Sequence, residues 1–161
     1  MTSFDPNPAT RAVRAAIESD SQHGAVVPPL HLSSTFTFEG FGAKRQYDYT
    51  RSGNPTRDGL ADAIRDLEQG AGAVVTSSGM AAVNLVLQLL DPGDLLIAPK
   101  DCYGGSYRLL ERLSRKGHFR VRFSDLTDPT ELREVCAEKP RMILVESPSN
   151  PLLRITDIEA V

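Results

Sequence analysis

Residues 73–98 read AVVTSSGMAAVNLVLQLLDPGDLLIA, and this stretch decides the fold. Ala73 to Thr76 is a short apolar run of strand length. Met80 to Leu90 is a nearly all-apolar helix that Asp91-Pro92-Gly93 brings to a stop. A second apolar run, Leu95 to Ala98, follows at once. Strands this continuously apolar suit a parallel sheet covered on both faces.

Downstream the alternation continues. Ser106 to Lys116 is an amphipathic helix with Leu109, Leu110 and Leu113 on one side, and Val121 to Phe123 is a further strand. A helix at Pro129 to Glu138 then leads to a strand at Met142 to Val145. The resulting βαβαβαβ order predicts an α/β fold, a mostly parallel sheet with helices on both faces. Upstream, Asn54 is placed to cap a helix that starts at Pro55, with Leu60, Ile64 and Leu67 at helical spacing and Gly70 as a left-handed stop. Ahead of that lie one short helical candidate, Thr10 to Ser19, then Pro28-Pro29 and a Ser/Thr/Phe stretch from Ser33 to Phe38. These earlier residues read as an extended arm.

Composition narrows the function classes. A chain of 161 residues, 40% of them apolar, can bury one substantial core;. With a net charge of -3 there is no overall positive field for a phosphate backbone, so the reading is no nucleic acid and a small-molecule partner;. Cys102 and Cys136 stand in neither a Cys-x-x-Cys nor a zinc spacing, which suits a reducing compartment and a cytoplasmic location. Met1 to Thr10 has no basic end followed by an apolar run, and no apolar stretch is long enough to span a bilayer, so no membrane partner is expected. His23, His31 and His118 have no metal-ligand spacing; no metal is expected. Asp62 and Asp66 read as a solvated helix face.

Ligands of such sheets gather at the carboxyl ends of the strands. At the first end, Thr76-Ser77-Ser78-Gly79-Met80 would open a helix with unpaired N–H groups at its positive pole, a cup for phosphate or simply a serine-capped helix start. The chain has no Gly-x-Gly-x-x-Gly and no Gly-Lys-Ser/Thr loop, which argues against a dinucleotide or a nucleoside triphosphate. After the second strand, Tyr103 precedes Gly104-Gly105 and could lie flat over a planar ligand, its phenol also able to move a proton, or could pack on its own loop. Arg108, one turn on, reads as a surface charge or a carboxylate partner. After the last strand comes Glu146-Ser147-Pro148-Ser149-Asn150-Pro151, whose prolines fix the backbone around the Asn150 amide, a carboxylate donor or a turn residue. In the arm, Tyr49 and Arg51 are two residues apart and share a side if extended, forming a phosphate clamp or a surface pair.

Taken together, five stretches resemble the pyridoxal-phosphate transsulfuration enzymes, the Cys/Met metabolism family. They are Val26 to Pro29, Tyr49 to Arg57, Ser77 to Ala82, Tyr103 to Gly105 and Glu146 to Pro151, in the family's order across essentially the whole chain. The contexts Pro99 to Leu109 and Val145 to Leu153 look most like the bacterial branch that replaces a γ-substituent by cysteine. The resemblance implies pyridoxal 5'-phosphate (PLP) as cofactor and the PLP domain of an aspartate-aminotransferase-like fold, here truncated. Residues 1–57 would be an arm reaching the neighbouring subunit's site, and residues 58–161 the first part of the PLP-binding domain. A homotetramer of two tight dimers is implied. Gly79 and Met80 would bind the cofactor phosphate, Tyr103 would stack on its ring and take part in catalysis, and Tyr49 and Arg51 would reach the neighbour's phosphate. Asn150 would bind the substrate α-carboxylate, with Asp48 and Arg108 beside the substrate. The implied reaction joins O-succinylhomoserine, or another O-acylhomoserine, to cysteine to give cystathionine in methionine biosynthesis.

Two departures qualify that pattern. The family's Schiff-base lysine stands in a Ser-x-Thr-Lys context that Lys44, Lys100, Lys116 and Lys139 all lack. It is expected beyond Val161, along with the aspartate that pairs with the pyridine nitrogen and the C-terminal domain, so the chain alone is expected to be inactive. Ser52 stands where familiar enteric members have a second arginine, which leaves γ-lyase and β-lyase branches open. A rival of another class is a non-catalytic fragment that binds a phosphate ligand or pairs with a full-length relative. A Rossmann oxidoreductase lacks its glycine fingerprint and ribose-binding acid here.

Overall fold

The computed structural model describes residues 7–17 and 19–161. The first six residues, read above for targeting features, and Glu18, inside the predicted first helix, lie outside the described residues. The chain forms two compact units, Met1–Val75 and Thr76–Val161.

In the second unit the elements are α3 (Gly79–Leu87), β1 (Leu95–Pro99), α4 (Gly104–Arg115), β2 (Arg120–Ser124), α5 (Pro129–Ala137) and β3 (Met142–Ile143). The three strands form one sheet in the order β2-β1-β3. Both pairings are parallel, with Leu96 opposite Val121 on one side and opposite Met142 on the other. All five residues of β1 are buried, as its unbroken apolar run requires. Alternate side chains serve opposite faces. Leu96 and Ala98 pack with Leu87, Leu90, Leu110 and Phe119, whereas Leu95 and Ile97 pack with Leu126, Leu132 and Val135. Thus α3 and α4 cover one face and α5 the other, the α/β arrangement expected. Leu96, Ile97, Leu110 and Val135 are fully enclosed, and each such side chain contributes roughly 1.5–3 kcal/mol through burial;. Helix α5 starts where Asp128 accepts the N–H groups of Thr130 and Glu131, with Pro129 in the first turn;.

Several details depart from the sequence reading, among them the end of α3 at Leu87 where Leu90 is expected. Ala73 to Thr76 forms no strand, and Val74 is left exposed. A short apolar run becomes a strand only where a neighbour offers a ladder. The last strand shortens to Met142–Ile143, although Leu144 N–H still donates to Ile97 O at 2.8 Å. Gly104 and Gly105 are the first residues of α4 and not part of a loop. Lastly, the left-handed residue that ends the helix after Asn54 is Gln69, at φ 52°, and not Gly70. Gly70 N–H instead donates to Arg65 O at 2.9 Å, and Gln69 N–H to Asp66 O at 3.4 Å, so both outer bonds of a Schellman ending are made;.

The first unit holds α1 (Pro8–Val13) and α2 (Pro55–Leu67). Helix α1 is shorter than the predicted Thr10 to Ser19, and Ala16, at φ 57°, marks the turn beyond it. Arg11 pairs with Asp66 at 3.5 Å and joins the two helices. Between them the arm folds back on itself: Phe36 N–H donates to Asp48 O and Thr50 N–H to Ser34 O, both at 2.9 Å. Asn54 does more than cap α2. Its side-chain amide donates to His31 O at 3.0 Å and to Thr50 Oγ1 at 2.8 Å, while its oxygen accepts Thr56 N–H. The apolar stripe of α2 stays largely open, with Leu60 at 52% and Ile64 at 43% exposure.

Candidate functional site

Helix α3 opens where Ser78, in extended backbone, accepts Ala81 N–H at 3.2 Å. Capping and anion binding are compatible here, because the cap engages only the third N–H of the helix. The N–H groups of Gly79 and Met80 precede any intrahelical acceptor, and no acceptor among the described residues meets them;. They project at the positive end of the dipole, and a Cβ at Gly79 would meet nothing within 4 Å, so the approach is open;.

Tyr103 is the cap residue of α4, yet its side chain makes no capping bond. Its ring lies against Gly105: a Cβ there would come within 2.4 Å of Tyr103 Cε1 and 3.2 Å of Met80 Sδ. Gly105 is thus the shared floor beneath Tyr103 and Met80, and only a residue without a side chain fits. The ring is 48% exposed and can receive a flat ligand;. The fold therefore brings together an open helix start and an exposed aromatic ring, which suits a planar ring that carries a phosphate.

Arg108 lies on the exposed side of α4, its guanidinium folded toward Gly104, with a Cβ there only 3.3 Å from Nη1. It makes no ion pair among the described residues. Asn150 is exposed, and its side-chain amide has no hydrogen-bond partner among the described residues. Its backbone N–H is held by Glu146 at 3.1 Å, and the other oxygen of the same carboxylate holds Tyr103 N–H at 2.9 Å. The sequence motif contains Glu146, but nothing in its spacing assigns it this bridge. The one available signal was an acidic residue directly after an apolar strand.

A second network lies behind these loops. Ser149 Oγ donates to Asp101 Oδ2 at 2.6 Å, and Asp125 takes bonds from Thr127 and Arg154, with Lys100 Nζ 3.0 Å away. The Thr127 hydroxyl foremost, then Arg154 and Lys100, holds the Asp125 carboxyl far below the usual carboxylate range. Burial pushes the Cys102 thiol up, and the negative charge of Glu146 adds to the effect.

In the first unit Tyr49 and Arg51 are neighbours, with Arg51 Nη2 3.4 Å from the Tyr49 hydroxyl and its guanidinium 5.1 Å from the ring centre. Arg57 donates to Thr50 O at 2.8 Å and steadies this turn. Asp48 pairs with Lys44 and takes a bond from Ser52 Oγ at 3.0 Å; Lys44 foremost, then Ser52, holds its carboxyl below the usual range. A cleft of about 280 Å³ beside it is lined by Lys44, Tyr47, Asp48, Ser52 and Asp58, among others. Among the described residues there is no cluster of metal ligands and no helix long and apolar enough to cross a membrane.

Comparison with known proteins identifies the family. A sequence model of the family described as Cys/Met metabolism PLP-dependent enzyme matches residues 9–161. Cystathionine gamma-synthase of Escherichia coli is 56% identical over 95% of this chain and 40% of its own length. Cystathionine beta-lyase of Coxiella burnetii is 40% identical over 94% of the chain and 40% of its own length. The crystal structure of cystathionine gamma synthase from Xanthomonas oryzae pv. oryzae, in complex with cystathionine, superposes with a TM-score of 0.92 at 58% identity, covering 97% of this chain and 42% of that one. The chain therefore spans about 40% of the length of the curated relatives it matches.

Proposed function

Because the chain belongs to the family of Cys/Met metabolism PLP-dependent enzymes, we propose that it forms the front part of a cystathionine gamma-synthase. In this reading the full-length protein replaces the γ-substituent of an O-acylhomoserine, O-succinylhomoserine first, by the sulfur of cysteine. The observation that carries the proposal is the 56% identity to one gamma-synthase over nearly the whole chain, where a beta-lyase and a second gamma-synthase both stand at 40%. A solved relative of the synthase branch, 58% identical, holds cystathionine.

The residues present suit the cofactor. The free N–H groups of Gly79 and Met80 would hold the phosphate, and the exposed ring of Tyr103 would lie over the pyridine;. Bound PLP supplies an electron sink for the charge left at the substrate's α-carbon. Around it the chain's own groups divide the remaining work. Asn150, with its amide unclaimed, would donate to the α-carboxylate; Asp48 and Arg108 would border the substrate; the Tyr103 phenol would pass a proton. Tyr49 and Arg51 would complete the phosphate site of a second subunit in a homotetramer, and the enzyme would work in the cytoplasm in methionine biosynthesis. Ser52 favours a second reading, a γ-lyase or β-lyase of the same family, since its hydroxyl offers no positive charge to a succinyl carboxylate.

The test is a matched assay of the full-length enzyme. With O-succinylhomoserine and cysteine it should release succinate and form cystathionine faster than it cleaves cystathionine at the same concentration. Cleavage that outruns synthesis would place it among the lyases.

A further inference from the structure

One carboxylate links the two loops on which the proposed site depends. Glu146 Oε2 accepts Tyr103 N–H at 2.9 Å, and Glu146 Oε1 accepts Asn150 N–H at 3.1 Å. The Tyr103 loop leaves β1, and the Asn150 loop leaves β3; the strands are adjacent, but their exits share no ladder bonds. We propose that Glu146 is a positioning residue that sets the Tyr103 ring and the Asn150 amide relative to each other by holding both backbones at once. The inference rests on the roles given above to Tyr103 and Asn150, which it deepens.

Three features of the surroundings require a carboxylate here. Neither Tyr103 nor Asn150 has a side-chain bond of its own among the described residues, so each side chain takes its direction from its backbone. Tyr103 also caps α4, whose positive end favours a full negative charge beside it;. Finally, the two N–H donors meet separate oxygens of one side chain, and among side chains only a carboxylate presents two accepting oxygens;. Glutamine keeps the length but replaces one oxygen by an NH2 group, which would face an N–H and repel it. Aspartate keeps both oxygens but is one methylene short of spanning the two loops.

Full-length enzyme carrying Glu146→Gln, compared with wild type, tests the idea by cofactor retention and by steady-state kinetics. Loss of one charge-assisted bond should speed PLP release on dialysis about tenfold and raise KM for the amino-acid substrate by a similar factor, with a smaller change in kcat. The visible circular dichroism of bound PLP should change as the ring above it tilts. In an Asn150→Ala background the further rise in KM should largely vanish, and in a Tyr103→Ala background the further loss of PLP should vanish, because a positioning residue acts only through what it positions. Effects that simply add in both backgrounds, or a lowered melting temperature with PLP release and KM unchanged, would overturn the proposal. Should Glu146→Gln fail to fold, Glu146→Asp carries the same comparisons. A wild-type full-length protein that binds no PLP would sink the functional reading and this inference with it, whereas normal wild-type binding with an indifferent Glu146→Gln would remove the inference alone.

Discussion

Ser149 donates its hydroxyl to Asp101 Oδ2 at 2.6 Å and accepts Arg154 N–H at 3.2 Å, so one small buried side chain joins the turn after β1 to the turn after β3. Ser149 is only 2% exposed. Its removal would leave the Asp101 carboxylate and the Arg154 N–H short of a partner where water has little access. Ser149→Ala should therefore lower the stability of the full-length protein by about 1–3 kcal/mol. The midpoint of urea unfolding measures it, and an unchanged midpoint would show that the two turns are held elsewhere.

Asp125 gives the same region a dependence on pH. Its carboxyl is held far down by the Thr127 hydroxyl and then by Arg154 and Lys100, so the folded state prefers the ionised form. For a depressed carboxylate the contribution is complete above the unfolded value of about 4 and is lost as pH falls from there toward the folded value. Stability of the wild type should fall progressively as pH drops below about 5, and Asp125→Asn should flatten that slope;. The same variant should cost about 1–3 kcal/mol near neutrality, the lower end being favoured because Lys100 is half exposed;. An identical slope in both proteins would mean that other carboxylates govern the acid transition.

The sequence shows most of what local rules control. Asn54-Pro55 and Asp128-Pro129 start helices where capping chemistry places them, and the apolar run at β1 is buried throughout. It shows less where a distant partner decides. Ala73 to Thr76 has strand composition but no ladder, and the bridge from Glu146 to Tyr103 spans 43 residues of chain, beyond any spacing rule. Gly105 is a related case. As a sequence feature it suggests a flexible loop, whereas in space it is a helical residue whose missing side chain makes room for a ring. The open N–H groups at Gly79 and Met80 were legible because a Ser-Ser-Gly helix start carries its own geometry.

Gly105→Ala tests that use of space. Its Cβ would come within 2.4 Å of Tyr103 Cε1, closer than van der Waals contact allows, so the ring must rotate away. Alanine suits a helix at least as well as glycine does, and the fold should persist. An aromatic pairing is worth about 0.5–1.5 kcal/mol, so PLP affinity of the full-length enzyme should fall about threefold to tenfold. Equilibrium titration with PLP decides; undiminished affinity would mean that the ring does not lie over the cofactor.

Tyr49 and Arg51, held by the turn that Arg57 braces, are proposed to act on a second subunit. Mixing full-length Arg51→Ala with a full-length variant that lacks the Schiff-base lysine should then restore activity. In such a hybrid dimer one of the two sites keeps both intact parts, so up to about half of wild-type activity per hybrid is expected, by the symmetry of a paired interface. If no mixing ratio recovers activity, the shared-site assignment is wrong.

Substrate choice is proposed to turn on Ser52 and Arg108. The Ser52 hydroxyl is engaged within its own turn, by Asp48 Oδ1 at 3.0 Å and Tyr49 O at 2.8 Å, and so offers nothing to a succinyl carboxylate. Arg108 is exposed and makes no ion pair among the described residues, which leaves its guanidinium able to take that part. A charge-assisted bond is worth about 1.5–3 kcal/mol, so Arg108→Ala should lower kcat/KM for O-succinylhomoserine about tenfold to a hundredfold. O-acetylhomoserine, which has no distal carboxylate, should be affected far less. Ser52→Arg should favour the succinyl ester, although Asp48, already paired with Lys44, would compete for the new guanidinium and limit the gain;. Equal losses on both esters in Arg108→Ala would instead assign Arg108 to the part of the substrate that the two esters share, or to the fold itself.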